Sequence, residues 1–298
     1  MKNNNYIQLS QLVDMSNPAA VLEEVKYNFI HHYPIQEFFR VRLAFRDFLD
    51  FYEGRYPGYK ACNTQFHDKT HITDSLLAIS RLIDGYNIKN PLRKLPVKSV
   101  VDALIATIFH DSGYIQTIDD KNGTGAKYIQ VHLERSIAFV NKYFKEMGYS
   151  ENEAVSAGKM ISCTGSKEDI SCVKFQNKLE RILCHMLGTA DIIGQMASRT
   201  YLEKLIFLYN EFKEGNIKGY PTELSVLEKT LGFYSEVKEK LKKSLKGMDK
   251  YAQSHFEKRY RINLNIYNIA IDAQMNYLKK ILTTNKEGYR SMLKRQVP

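Results

Sequence analysis

Two short stretches set histidine beside aspartate: "TQFHDKTHITDS" (Thr64–Ser75) and "TIFHDSGY" (Thr107–Tyr114). In the second, His110 and Asp111 close a very apolar helical run, and Gly113 then breaks it. An aspartate there meets the negative end of the helix dipole and is costly to bury unless it is paired or bound to a cation. A divalent metal would relieve both problems; a hydrogen-bonded core pair is the alternative. In the first stretch, His67 and His71 are four apart, which on one helix puts both imidazoles on the same face. Asp68 then points about 100° away and is expected in solvent. His132 in "VHLERS" adds an imidazole, and Asp191 in "LGTADIIGQM" adds a carboxylate among apolar neighbours. Nitrogen and oxygen donors of this mix suit Mn, Fe, Zn or Mg, as one ion or two per chain. His185 falls on a different side of its helix from Asp191 and reads as a core histidine. His31, His32 and His255 have no partners nearby in sequence and are expected at the surface.

The order His, then His-Asp about 40 residues later, then Asp about 80 residues beyond, all on helices, resembles the HD-domain metal-dependent phosphohydrolase superfamily. "FHDKTHITDSL" looks like the His-Asn-x-x-His segment of cyclic nucleotide phosphodiesterases, with Asp68 where Asn is usual. The resemblance covers Cys62 to Met196. It implies that His67 donates a proton to the leaving group, and that His71, His110, Asp111 and Asp191 hold a first metal. It further implies that Asp111 bridges to a second metal and the activated water, with His132 binding or supporting that second ion. The chain departs from the pattern after His-Asp: "SGYIQ" stands where those phosphodiesterases carry another histidine. The "GYP" at Gly219–Pro221 lies too far beyond Asp191 to be an HD-GYP signature. Lys69 and Arg135 adjoin ligand positions, and Lys127 follows a Gly-containing polar loop; all three are candidates to face an anionic substrate.

These residues need helices to position them, and the pattern is helical nearly throughout. Ile72, Leu76, Ile79, Leu82 and Ile83 mark one face of a helix after His71. "VKSVVDALIATIF" has little polar face and should be a central, buried helix. Ser150 and Glu153 form a capping box opening a helix to about Ile161, and Ser166 with Asp169 hints at another start. "FQNKLERILCHMLGTADIIGQMA" reads as one long helix, broken or kinked near Gly188. Tyr201 to Leu282 alternates helices with turns at "EGN", "KGYP" and "KGMD". The expected fold is an all-α, HD-type helical bundle in a single domain. Residues 62–196 form its metal-binding core, and 1–61 and 197–298 are flanking helices that wrap it.

Composition agrees with this picture. Only 16 Gly and 7 Pro in 298 residues disfavour a turn-rich sandwich or barrel, and 44% hydrophobic with 26% charged residues is a globular profile. No apolar run is long enough to cross a bilayer, and the start lacks a signal-peptide core, so a cytoplasmic protein without membrane contact is expected. Cys62, Cys163, Cys172 and Cys184 have no zinc-ribbon spacing and read as reduced packing thiols. The net charge of +10 favours anionic partners. The lysine block Lys238–Lys250 reads first as a solvated helix face. The function expected is hydrolysis of a phosphorylated small molecule, a nucleotide or cyclic nucleotide, with a homodimer possible. Two other classes stay open: a non-catalytic nucleotide- or RNA-binding helical module, with nucleic acid not favoured because no known motif appears, and an HD-type di-iron oxygenase.

Overall fold

The computed structural model describes residues 7–165, 170 and 173–297. Thirteen α-helices are found among them, and no strand beyond one isolated bridge between Tyr59 and Thr117. The N-terminal part holds α1 (Leu9–Leu12), α2 (Pro18–Ile30) and α3 (Phe39–Tyr52). The centre holds α4 (Lys69–Lys89), α5 (Val97–Ile108), α6 (His132–Glu146), α7 (Glu151–Ser162) and α8 (Lys178–Met196). Five helices follow: α9 (Tyr201–Glu214), α10 (Glu223–Glu239), α11 (Lys250–Tyr260), α12 (Ile266–Thr284) and α13 (Tyr289–Met292).

The capping box is present as expected: the Ser150 hydroxyl accepts from Glu153 N, and the Glu153 carboxylate accepts from Ser150 N. The turns after α9 and around Gly219 and Gly247 also fall where the sequence punctuates. The start suggested by Ser166 and Asp169 lies outside the described residues. Gly188 is different. α8 runs through it without a break, because the missing side chain is used for packing: a Cβ there would stand 2.4 Å from the Cys163 carbonyl oxygen.

α5 is buried from Val100 to Ile108, as its apolar sequence requires. α4 is the surprise. It reads as one-faced, yet it packs against α2, α5, α8 and α11 and is buried almost all round. Several of the polar residues it buries are paired inside. Arg81, fully buried, donates to the Tyr267 hydroxyl and lies over the Phe256 ring. Asp84 gathers three histidines. α2 and α11 lie on α4, and α12 lies on α8.

α4 and α11 cross at Gly85, where a Cβ would stand 1.8 Å from the Tyr251 carbonyl oxygen. Backbone cannot yield there as a flexible side chain would. Gly85→Ala is therefore expected to cost at least ~3 kcal/mol, read as a lower urea midpoint with an unchanged slope. A midpoint equal to that of the parent protein would mean that the two helices do not approach this closely.

Candidate metal centre

α4 begins one residue after Asp68, whose side chain caps it by accepting from His71 N. The chain therefore turns between the two histidines. His71 lies in the first turn of the helix and His67 precedes it, so the expectation of one helix carrying both is corrected. Asp68 is also no solvent bystander: Lys204 Nζ on α9 lies 2.7 Å from both its carboxylate oxygens. α5 ends at Ile108, and the turn that follows delivers His110 and Asp111. Asp191 projects from the second half of α8.

Four side chains from these separate segments converge. His71 Nε2 lies 3.1 Å from His110 Nε2, 3.2 Å from Asp111 Oδ2 and 3.1 Å from Asp191 Oδ1. His110 Nε2 lies 3.6 Å from Asp111 Oδ2 and 3.5 Å from Asp191 Oδ1. An ion with bonds of about 2.0–2.2 Å sets neighbouring donor atoms roughly 2.9–3.5 Å apart. The five separations, 3.1–3.6 Å, lie close to the edges of such a shell; His71, His110 and Asp191 offer ligand atoms that are all within 4.8 Å of one another, and Asp111 joins them through the two imidazoles. His110 Nδ1 faces the Thr107 carbonyl oxygen at 2.8 Å, which fixes the proton on Nδ1 and leaves the Nε2 lone pair pointing at the other donors. Asp111 Oδ2 is buried and has no hydrogen-bond partner. An acceptor orphaned in that way is costly unless a cation answers it.

The electrostatics agree. Burial disfavours charge on His71, but the Asp111 and Asp191 carboxylates outweigh it and raise its pKa to about 10. Burial likewise opposes charge on Asp111 and Asp191, but the His110 and His71 imidazoles hold both carboxyls well below the usual range. Two ionised carboxylates in a dry pocket demand positive charge, which the His71 proton supplies in the metal-free site and which a divalent cation would supply in its place. The donor set fits a divalent metal.

Beside the four donors, three near-parallel rings cluster. Tyr114 lies against His67, at 4.3 Å and 12°, and against His132, at 4.6 Å and 20°, while the two imidazoles stand 6.3 Å apart. His132 Nδ1 faces the Ile129 carbonyl oxygen at 2.8 Å. His132 is thus adjacent to the four-donor group and stacked on its neighbour, not one of the four. His67 Nδ1 lies 2.7 Å from Glu211 Oε2, and the other oxygen of Glu211 accepts from Gln65 N and Phe66 N. A single buried carboxylate on α9 thereby fixes both the loop and the imidazole, leaving His67 Nε2 for a substrate.

The three basic candidates are engaged elsewhere. Lys69 pairs with Glu53 at 2.8 Å. Lys127 pairs with Asp120 and donates to the Asn122 carbonyl oxygen. Arg135 donates to the carbonyls of Gly113 and Ile115 and lies over Tyr128, so it braces the segment after Asp111. Sequence reasoning missed Lys204, Glu211 and Tyr114. Lys204 and Glu211 are seven apart on α9, hence on one face, but their partners, Asp68 and His67, lie far away in the sequence and gave no local signal.

His185 is buried as expected, with the edge of Phe175 against it. Burial, helped by Arg181 and Lys246, holds its pKa down at about 4. The unfolded chain takes up this proton first, near the ordinary value of about 6.5. The stabilising contribution is therefore complete above pH 6.5 and is lost as pH falls towards 4, by roughly 3 kcal/mol at most. His185→Phe should flatten the decline of Tm between pH 7 and 4; an unchanged decline would contradict this assignment. His31 is exposed as expected, though it also reaches Asp84, whereas His32 and His255 depart from expectation. His255 is fully buried and the His32 side chain is only 5% exposed, because both reach Asp84.

No protein-family model, curated protein or solved structure matches this chain. Among the described residues, no helix is long and apolar enough to cross a membrane. Cys163 and Cys184 are buried free thiols and Cys62 is partly buried; Cys172 lies outside the described residues.

Proposed function

We propose that this chain is a metal-dependent phosphohydrolase of HD type, acting on a phosphodiester such as a nucleotide or cyclic nucleotide. The observation that carries the reading is the convergence of His71, His110 and Asp191 at coordination-shell distances, with Asp111 3.2 and 3.6 Å from the two imidazoles and a held imidazole, His67, beside them. The order of these residues in the sequence resembles the HD superfamily, and their spatial convergence is what that resemblance requires.

A divalent cation held by those four residues would act as a Lewis acid, lowering the pKa of water and neutralising phosphate charge. The protein's own residues do the rest. Glu211 fixes the His67 tautomer by accepting from Nδ1. When the ring is doubly protonated, with Nδ1–H held by Glu211, His67 gives its Nε2 proton to the departing oxygen and is left as the Nδ1–H tautomer, a general-acid contribution of about 10²–10⁴-fold. Tyr114 holds the His67 ring plane by stacking and limits its rotation. His132, also packed against Tyr114 and 6.3 Å from the His67 ring, is the residue available to support a second ion. The buried Lys204–Asp68 pair keeps the first turn of α4, and so His71, in register.

The test is elemental analysis of protein purified without chelator, with turnover of bis-p-nitrophenyl phosphate measured with and without Mn²⁺. About one or two ions per chain with metal-dependent turnover supports the reading. Bound metal without turnover on a panel of mono- and diesters would move the assignment to oxidation chemistry, which iron content and a visible absorption band would reveal. Neither metal nor turnover after reconstitution would leave a binding module.

A further inference from the structure

The far end of α4 carries a second constellation of ligand-type atoms. Asp84 is thirteen residues beyond His71, about 20 Å along the helix axis. Its Oδ1 has His31 Nδ1 and His32 Nε2 each at 2.8 Å, and its Oδ2 has His255 Nδ1 at 2.7 Å. His31 and His32 follow the last turn of α2, and His255 sits on α11. Three of the chain's eight histidines thus meet on one buried carboxylate. Among the described residues, no lysine or arginine pairs with Asp84.

We propose that His31, His32 and Asp84 form a second, separate binding site for one divalent transition-metal ion, with His255 as a positioning residue. The three donor atoms lie within 4.8 Å of one another. Two imidazole nitrogens and one carboxylate oxygen are the donor chemistry of zinc, cobalt or ferrous iron, and too nitrogen-rich for magnesium or calcium. The His255 N–H holds the carboxylate oxygen that does not face the other two histidines, which is how an outer partner orients a ligating carboxylate. The 2.8 Å separations are a few tenths of an ångström shorter than coordination edges of about 2.9–3.5 Å. The His31 side chain is 39% exposed, so it can swing outward by that amount, admit the ion and leave solvent to complete the shell. On binding, the N–H proton that each ring directs at Asp84 transfers through solvent to the other nitrogen of the same ring, and the lone pair so exposed takes the ion. The bound ion would staple α2 to α4, and through His255 and Asp84 to α11.

This site is independent of the hydrolytic reading and is tested without an activity assay. His110→Ala/Asp191→Ala protein, which lacks the first site, is stripped with chelator and titrated with Co²⁺, followed by visible absorption and equilibrium dialysis. The expected result is about one Co²⁺ per chain with ligand-field bands. Adding His31→Ala should weaken that binding by at least about tenfold, and adding His255→Gln instead by about 10–100-fold. His31 is partly exposed, so its loss should leave the helical circular dichroism intact. Should the double variant fail to fold, His31→Ala alone is compared with the parent chain, where it should remove about one ion per chain. No bound Co²⁺ in folded double variant, or binding that His31→Ala leaves unchanged, would overturn the proposal.

Discussion

Asp111→Asn is expected to remove bound metal and phosphodiesterase activity together, with a loss of at least about 10³-fold in kcat/KM. The substitution keeps the volume and removes the charge. Asp111 Oδ2 stands 3.2 Å from His71 Nε2 and 3.6 Å from His110 Nε2, buried and without a hydrogen-bond partner. An amide in its place presents either a neutral oxygen or an N–H to the ion, and the N–H repels it. Asp191→Asn should act in the same direction, since its Oδ1 stands 3.1 and 3.5 Å from the same two imidazoles. Metal content and kcat/KM are measured on the same preparations, with circular dichroism to show that the helices persist. An Asp111→Asn protein that keeps stoichiometric metal and full turnover would remove the metal centre from the proposed chemistry.

His67→Asn should behave in the opposite way: metal content unchanged, kcat lowered by about 10²–10⁴-fold on a substrate with an alkoxide leaving group. On p-nitrophenyl esters the loss should be much smaller, because that leaving group departs without protonation. This dependence on the leaving group separates an acid from a residue that merely shapes the pocket, which would affect both substrates alike. Glu211→Ala is expected to reproduce part of the effect with the same substrate dependence. It removes the acceptor for Gln65 N, Phe66 N and His67 Nδ1 at once and lets the ring turn. Equal losses on both substrates for His67→Asn would rule out the general-acid role.

Much of this protein was legible in the residues. Scarce Gly and Pro with 3.6-residue periodicity determined an all-helical fold, because helix formation is a local property of the chain. The Ser150–Glu153 box was readable for the same reason, its partners being three residues apart. His110, Asp111, His71 and Asp191 stood out because a charge or imidazole inside an apolar run has to be explained by a partner. What those partners were was not local. Glu211 lies 144 residues from His67, and Lys204 lies 136 from Asp68, so nothing in the neighbourhood of either signalled the pairing. Asp68 looked solvent-exposed on a helix that, in the fold, begins just after it and uses it as a cap. His31, His32 and His255 looked isolated because α2, α4 and α11 meet only in the packed structure. Gly188 looked like a break, whereas the fold uses its missing side chain to bring α8 against the Cys163 carbonyl. Periodicity and composition act within a few residues and specified the helices and the ligand types. Which buried charge answers which was decided by how the helices pack, since only packing excludes the water that would otherwise answer each of them.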